Sequence, residues 1–366
     1  MNFNTIFYKS FRILLLPFAL LYGFIITIRN WLFNKNHFRS AEFNFPLICV
    51  GNLVVGGTGK SPMVEYLVGL LKTDFAVATL SRGYKRKTKG YALANENTTA
   101  LEIGDEPMQF HQKFPDIAVA VGEARIEAIP QLLHDRPETQ VIILDDAFQH
   151  RSVTAGLNIL LTEYNDLYSN DFYIPTGDLR DSRSSAKRAQ VIVVTKCPPF
   201  LGEVEKKAII AEISPLPEQK IFFTTIEYGR PYHIVTEKQR DVTENDEILL
   251  VCGIANPKPL KQYLAEHADT YYQQDYTDHH IFTIDDLKEI TTKYEDITGG
   301  QKFILTTEKD AVRLIKFKEQ LTTLPLFVLP IRHNFLFEEG KAFDETVVHY
   351  IKHFQLETEN YEQKER

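Results

Sequence analysis

From residue 13 to residue 28 the chain carries no charge (ILLLPFALLYGFIITI); past Pro46 its pattern changes. Short continuous apolar runs then alternate with stretches in which apolar residues recur every three or four positions. Residues 46–50 (PLICV) and 141–144 (VIIL) have the length and the unbroken hydrophobicity of strands covered on both faces of a parallel sheet. Met63, Val64, Leu67, Val68 and Leu71 instead fall on one face of a helix. Residues 248–252 and 303–305 repeat the buried-strand pattern, with a helix predicted over 285–294 between them. Two further runs, 221–226 and 232–236, flank Tyr228-Gly229-Arg230-Pro231 and predict a β-hairpin.

The opening run sits at or just below the ~20 apolar residues of a membrane span. No small-residue cleavage site follows it, which argues against a signal peptide. A buried core helix competes with a membrane-seated one. Lys9 and Arg12 precede the run, Arg29, Lys35 and Arg39 follow it, and Trp31 marks its end. Cations and tryptophan at both ends suit an element at a lipid interface. Pro17 and Gly23 permit a kinked segment that dips in without crossing, so a monotopic helix is expected over a spanning one.

Between the strand at 46–50 and the helix that starts near Pro62 lies GNLVVGGTGKSP. Gly56, Gly57, Thr58 and Gly59 let backbone N–H groups close around phosphate oxygens, and the helix N-terminus adds its positive end. Lys60 is placed to reach the β- and γ-phosphates of ATP, and the Ser61 hydroxyl to ligate Mg²⁺. Val54 stands where the first glycine of the usual phosphate-loop pattern belongs. The run at 141–144 ends in Asp145 and Asp146, which delivers carboxylates to the C-terminal edge of a sheet. Asp145 is the candidate to share the magnesium, with Asp146 beside it as a catalytic candidate; helix capping is the plainer use of such a pair.

Charge and composition narrow the rest. With 44% hydrophobic and 25% charged residues the chain is globular, and a net charge of −8 does not suit a nucleic-acid binder. Three widely spaced cysteines form neither a zinc pattern nor a disulfide framework. SRGYKRKTKG (81–90), holding Arg82, Lys85, Arg86, Lys87 and Lys89, is either a solvated loop or a patch for an anionic headgroup. Arg125 and Arg180 are further candidates to clamp phosphate. Gly104-Asp105-Glu106-Pro107 reads locally as a helix start capped by Asp105. Asp278-His279-His280 offers metal-ligand residue types.

VGNLVVGGTGKSP, LSRGY, GDEP, DDAFQHR, PTGDLRD, VVTK, GIANP, DHHIF and TTEKDAV occur in that order between Val50 and Val312. Together they resemble the tetraacyldisaccharide 4′-kinase (lipid A 4′-kinase) family. The resemblance implies a P-loop NTPase-like α/β/α sandwich with a second, smaller α/β domain, a short β linker and an N-terminal membrane-associated helix. It implies transfer of the ATP γ-phosphate to the 4′-hydroxyl of a lipid A disaccharide 1-phosphate at the cytoplasmic side of the inner membrane. It also implies that Asp105 deprotonates that hydroxyl with help from His279; Glu106, Arg125, His150, Arg82 and Arg180 are the candidate substrate-binding residues. Two positions depart from the family pattern: Ala147 replaces a glycine, and Asp181 replaces a glutamate. The expected units are the helix at 1–40, a kinase domain at 41–220, a hairpin linker at 221–240 and a C-terminal α/β domain at 241–366. The alternative is a P-loop nucleotide switch or metallochaperone-type NTPase without a lipid acceptor.

Overall fold

The computed structural model describes residues 12–365; Lys9 lies outside them. Helix α1 (Leu16–Asn34) comes first, preceded by a short 3-10 turn at Ile13–Leu15. The chain then forms β1 (Leu47–Asn52), α2 (Lys60–Leu71), β2 (Val77–Ser81), α3 (Asp105–Lys113), β3 (Ala118–Val121), α4 (Arg125–Asp135) and β4 (Val141–Asp145). Strands β5 (Leu157–Glu163) and β6 (Val191–Thr195), helix α5 (Glu203–Ile213) and strand β7 (Lys220–Tyr228) follow. The second unit holds β8 (Glu247–Cys252), α6 (Lys258–His267), β9 (Thr270–Asp275), α7 (Ile284–Asp296), β10 (Lys302–Thr307), α8 (Glu308–Leu314) and β11 (Leu326–Leu329). Last are β12 (Ile331–Phe335) and α9 (Gly340–Glu365).

The larger sheet has nine strands in the order β12, β7, β6, β5, β1, β4, β2, β3 and a short edge strand at Ala92–Leu93. From β7 to β3 all pairs are parallel, which requires crossover helices and so covers both faces. Alternation along β1 shows how the core divides. Leu47 and Cys49 join the cluster that includes Ile129 and Leu132 of α4 and Ile209 of α5. Ile48 and Val50 join Met63, Val64, Leu67, Val68 and Leu71 of α2. Residues 47–50 are therefore all apolar although their side chains point opposite ways. The smaller sheet, with the order Tyr232–His233, β11, β10, β8 and β9, repeats this plan. Leu287 and Ile290 of α7 pack on one face of it, and Leu260 and Leu264 of α6 on the other.

Two expectations are corrected. Residues 221–236 form no hairpin: β7 extends the large sheet beside β6, while Tyr232–His233 pairs with β11 in the small one. The partner of β7 is β12, antiparallel, with Tyr228 opposite Ile331. The second unit also ends near Pro330 rather than at residue 366. Strand β12 returns to the large sheet, and Phe343, Val347 and Ile351 of α9 complete the core over α2. The chain thus passes between units twice, at nearly one point, and the β7–β12 pair forms the joint.

Helix α1 is neither buried nor detached. Ala19, Gly23, Ile26 and Asn30 form one buried stripe, while Phe18, Leu20, Leu21, Phe24, Ile25 and Trp31 are exposed. The stripe lies on residues 173–185. A Cβ on Gly23 would come within 2.5 Å of the Tyr173 ring, so only glycine allows this approach. Tyr22 Oη donates to the Arg180 carbonyl at 2.9 Å, and Asn30 Nδ2 donates to Asp181 Oδ1 at 2.8 Å. Arg12 pairs with Asp178 at one end of the helix, and Arg151 donates to Asn34 at the other. The helix is fastened along its whole length.

Candidate active site

Strands β1 and β4 are neighbours in register, with Val50 opposite Asp145, so both deliver their following loops to the same sheet edge. After β1, Val54 is buried and bridges Leu179, and Val55 N donates to the Asp178 carbonyl at 2.7 Å. This strand-like start explains how valine stands where a glycine is usual. The turn itself comes later: Gly59 has φ +87°, the left-handed region glycine enters freely, immediately before α2. Thr195 Oγ1 donates to the Thr58 carbonyl at 2.9 Å, and His333 Nε2 lies 2.9 Å from the Gly59 carbonyl. Burial pushes His333 down to about 4, so the imidazole is neutral and can donate to that carbonyl while Nδ1 faces Thr224. The joint strand β12 therefore props the glycine turn.

Lys60 Nζ lies 3.4 Å from Asn52 Oδ1 and 3.7 Å from Asp146 Oδ1. Arg180 forks onto both oxygens of Asp146 and also reaches Asn52. Burial opposes the charge of Asp146, but Lys60 and Arg180 outweigh it and hold the carboxyl below its usual range. Asp145 is different. Burial, with Glu106 and Asp146 nearby, pushes it up to about 7. Glu106, one of the charges that raise it, also accepts the Ser61 hydroxyl, so these groups form an all-oxygen donor set that suits Mg²⁺. Ser61 Oγ donates to Glu106 Oε1 at 3.0 Å.

Glu106 and Asp105 open α3, whose N-cap is Gly104, so Asp105 is the first helical residue and not the expected cap. Its side chain faces the second unit. His279 Nδ1 lies 2.9 Å from Asp105 Oδ2, and the same oxygen accepts from Arg313 Nε at 3.0 Å and Nη2 at 2.8 Å. Burial works against the Asp105 charge, yet Arg313 and His279 outweigh it and keep the carboxyl below its ordinary range. His279 has φ +62°, in the turn that the His280 N–H closes onto the Thr277 carbonyl, and its ring reaches across the cleft to Asp105. His280 turns the other way, to Asp286 at 3.0 Å, and stacks on Tyr276. The two histidines do not converge, which removes the geometry of a joint metal site.

The remaining candidates divide. Arg125 is fully buried, donates to the Gly122 carbonyl, and has Nε and Nη2 unpartnered. Burial, Arg125 and Arg82 push His150 down to about 4, so it is a neutral group near these arginines. Arg82 and Tyr84 are exposed, with the Tyr84 ring 5.8 Å from that of His279. Arg86 is not part of a free basic patch: its side chain is folded inward onto Glu123 at 2.7 Å. Asp181 is buried and receives Asn30, Ser182 N, Ser185 and Arg188, so it anchors α1 rather than facing the cleft. Sequence reasoning passed over Arg313, Lys309, Asn52 and His333. The first two lie in or beside the TTEKDAV motif, which was the available signal.

A family model for tetraacyldisaccharide-1-P 4′-kinase matches residues 11–352. The tetraacyldisaccharide 4′-kinase of Flavobacterium johnsoniae is 48% identical over 342 residues, covering 93% of this chain and 97% of the relative. That of Bacteroides thetaiotaomicron is 40% identical over 353 residues, covering 92% and 93%. A crystal structure of LpxK from Aquifex aeolicus in complex with ATP superposes with a TM-score of 0.72 at 28% identity, covering 93% of this chain and 99% of that one.

Proposed function

The chain belongs to the tetraacyldisaccharide-1-P 4′-kinase family, and on that premise we propose how its residues perform the transfer of the ATP γ-phosphate to the 4′-hydroxyl of tetraacyldisaccharide 1-phosphate in lipid A biosynthesis. The observation that carries the reading is the contact of Asp105, from the unit with the glycine turn, with His279, from the other unit, at 2.9 Å; Asp105 is next in sequence to Glu106, which accepts the Ser61 hydroxyl. A nucleotide switch has no use for a proton acceptor assembled across a cleft. An alcohol kinase does.

In this reading the backbone of residues 56–59 and the Lys60 ammonium hold the β- and γ-phosphates of ATP. Ser61 and Asp145 would hold Mg²⁺, which when bound neutralises phosphate charge at the reacting group. Asp105, kept ionised by Arg313 and His279, takes the proton of the acceptor hydroxyl. As it does so, the hydroxyl oxygen bonds to the γ-phosphorus and the β–γ bridging oxygen leaves with ADP. Asp146, tied to Lys60 and Arg180, fixes the lysine at the phosphates. Arg82, Arg125, His150 and Glu106 line the acceptor side.

The acceptor is a lipid, and α1 gives it a place to arrive. The helix from Ile13 to Asn34 is long and apolar enough to cross a bilayer. Because it is fastened along its length, it suits a seat in one leaflet with its apolar face down. Residues 178–181 touch both this helix and the segment 53–55 that leads into the glycine turn, so the membrane surface and the phosphates meet at one edge. We place the enzyme at the inner membrane with its site facing the cytoplasm, where ATP is. The test supplies γ-labelled ATP and purified tetraacyldisaccharide 1-phosphate to the detergent-solubilised protein. Label must appear on the 4′ position; label found only as inorganic phosphate rejects the reading.

A further inference from the structure

Helix α8 points three side chains at the first unit, and two are consumed by structure. Glu308 is buried, accepts Lys113 Nζ at 2.6 Å, and takes the Ile331 N–H at 3.1 Å. Arg313 is buried and spans Asp105 and Asp310. Lys309 differs. It is only half-buried, at the cleft, and its Nζ lies 2.8 Å from Glu106 Oε1. That same oxygen accepts the Ser61 hydroxyl. A second-unit ammonium thus stands one carboxylate away from the phosphate-binding turn.

Both side chains are still about a third exposed, so solvent screens the pair and weakens it as a structural bond. Burial disfavours the charge of Lys309, but Glu106, Asp278 and Asp145 more than compensate and keep it protonated. A triphosphate gripped by residues 56–61 brings its γ-phosphoryl oxygens to the start of α2, where Glu106 already stands. Two anions then face each other, and the ammonium between them has donors beyond the one it gives to Glu106.

We propose that Lys309 is a further catalytic residue, a cation from the second unit that contacts the γ-phosphoryl group of bound ATP and stabilises it during transfer. The inference rests on the kinase reading above. As the acceptor oxygen bonds to phosphorus, its proton goes to Asp105, and the β–γ oxygen departs with the electron pair of the broken bond. Negative charge is then spread over the equatorial and leaving oxygens, and an ammonium held there lowers the barrier. Lys309 rides on the helix that brings Arg313 to Asp105. The phosphate cation and the support for the proton acceptor therefore arrive together.

The test uses the full-length protein in detergent micelles with four variants: Lys309→Met, Lys309→Arg, Glu106→Gln and the double Glu106→Gln/Lys309→Met. Affinities for ADP and for a non-hydrolysable ATP analogue are measured, with single-turnover transfer to the glycolipid. Lys309→Met should lower the preference for triphosphate over diphosphate about tenfold or more and slow transfer ~10²–10³-fold. ADP affinity should stay within about twofold, because ADP lacks the group that Lys309 touches. Lys309→Arg should recover part of the transfer rate. The loss must persist in the Glu106→Gln background. Equal loss of both nucleotides, or no effect of Lys309→Met once Glu106 is neutral, overturns the proposal and leaves the lysine as a partner of Glu106. Absence of transfer by the unmutated protein would sink the kinase reading instead, while the nucleotide preference still decides Lys309.

Discussion

Replacing Arg313 by methionine tests whether Asp105 is the proton acceptor. The substitution keeps an unbranched apolar stem and removes two charge-assisted hydrogen bonds to Asp105 Oδ2, at 3.0 and 2.8 Å, leaving only that from His279. Hydrogen bonds to charged groups contribute ~1.5–3 kcal/mol, and 1.36 kcal/mol corresponds to one pH unit. The carboxyl of Asp105 should therefore titrate at a higher pH in the variant, since Arg313 is the first of the groups that hold it down. The sign follows from which form works. Only the carboxylate can accept a proton, and Arg313 extends that form toward acid. Without Arg313, activity should fail at a higher pH as the solution is acidified. The assay is kcat/KM against pH, whose acid limb reports the free enzyme. The plateau should fall as well, by about tenfold, because Oδ2 loses the groups that aim it. Arg313 also lies 3.4 Å from buried Asp310, so a thermal melt must show that the variant is folded. Arg313→Lys, which retains the charge, should return the limb most of the way. A limb that stays in place while the plateau drops would refute the argument, because Arg313 would then act on geometry without acting on the charge of Asp105.

The buried contact of Glu65, Lys113 and Glu308 ties α2, α3 and α8 together beside the joint, and it predicts a pH-dependent stability. Burial and Glu308 push Glu65 up to about 7, from an ordinary value near 4.5. Between those values the folded state holds an extra proton, so this group's contribution to stability declines as pH rises through the window. Glu65→Gln removes the penalty. Its Tm relative to the unmutated protein should climb from pH 5 to pH 8, and a difference that stays flat would show that Glu65 is already ionised at pH 5. On α1, Leu20 and Phe24 are 65% and 63% exposed. Leu20→Glu with Phe24→Glu should abolish flotation with anionic vesicles and leave ATP-analogue binding intact; retained flotation would put the membrane contact elsewhere.

Much of the nucleotide half of the site was legible because it is local. A buried strand, a glycine turn and a helix with Met63, Val64, Leu67, Val68 and Leu71 on one face follow each other directly, and each obeys its own period. Asp145 stands out by the same logic, as the polar end of an apolar run, and the structure puts it at the end of β4. The joint was misread for a physical reason. Two apolar runs around Gly229 and Pro231 satisfy the hairpin pattern, but the strand that pairs with β7 comes from residues 331–335, about a hundred positions later. Loop length and turn residues carry no information about so distant a partner. The return of α9 to cover α2 was hidden in the same way, since an amphipathic helix shows that it packs but not on what.

The acceptor half shows a harder limit. Thr307-Glu308-Lys309-Asp310 reads as a helix start, and it is one: Asp310 N donates to Thr307 Oγ1 at 3.2 Å. That local role accounts for the pattern completely. Yet Asp310 also receives Gly253 N and supports Arg313, whose other face holds Asp105, 208 positions earlier in the chain. Glu308 and Lys309 meanwhile reach Lys113 and Glu106. A segment whose local requirements are met leaves no unexplained residue in its sequence to betray a distant duty. His279 is explained locally in the same way: at φ +62° it sits in the turn that the His280 N–H closes onto the Thr277 carbonyl at 3.0 Å. That turn carries its ring to Asp105 across the cleft, and one turn of helix α8 supplies the groups that make the meeting chemically useful.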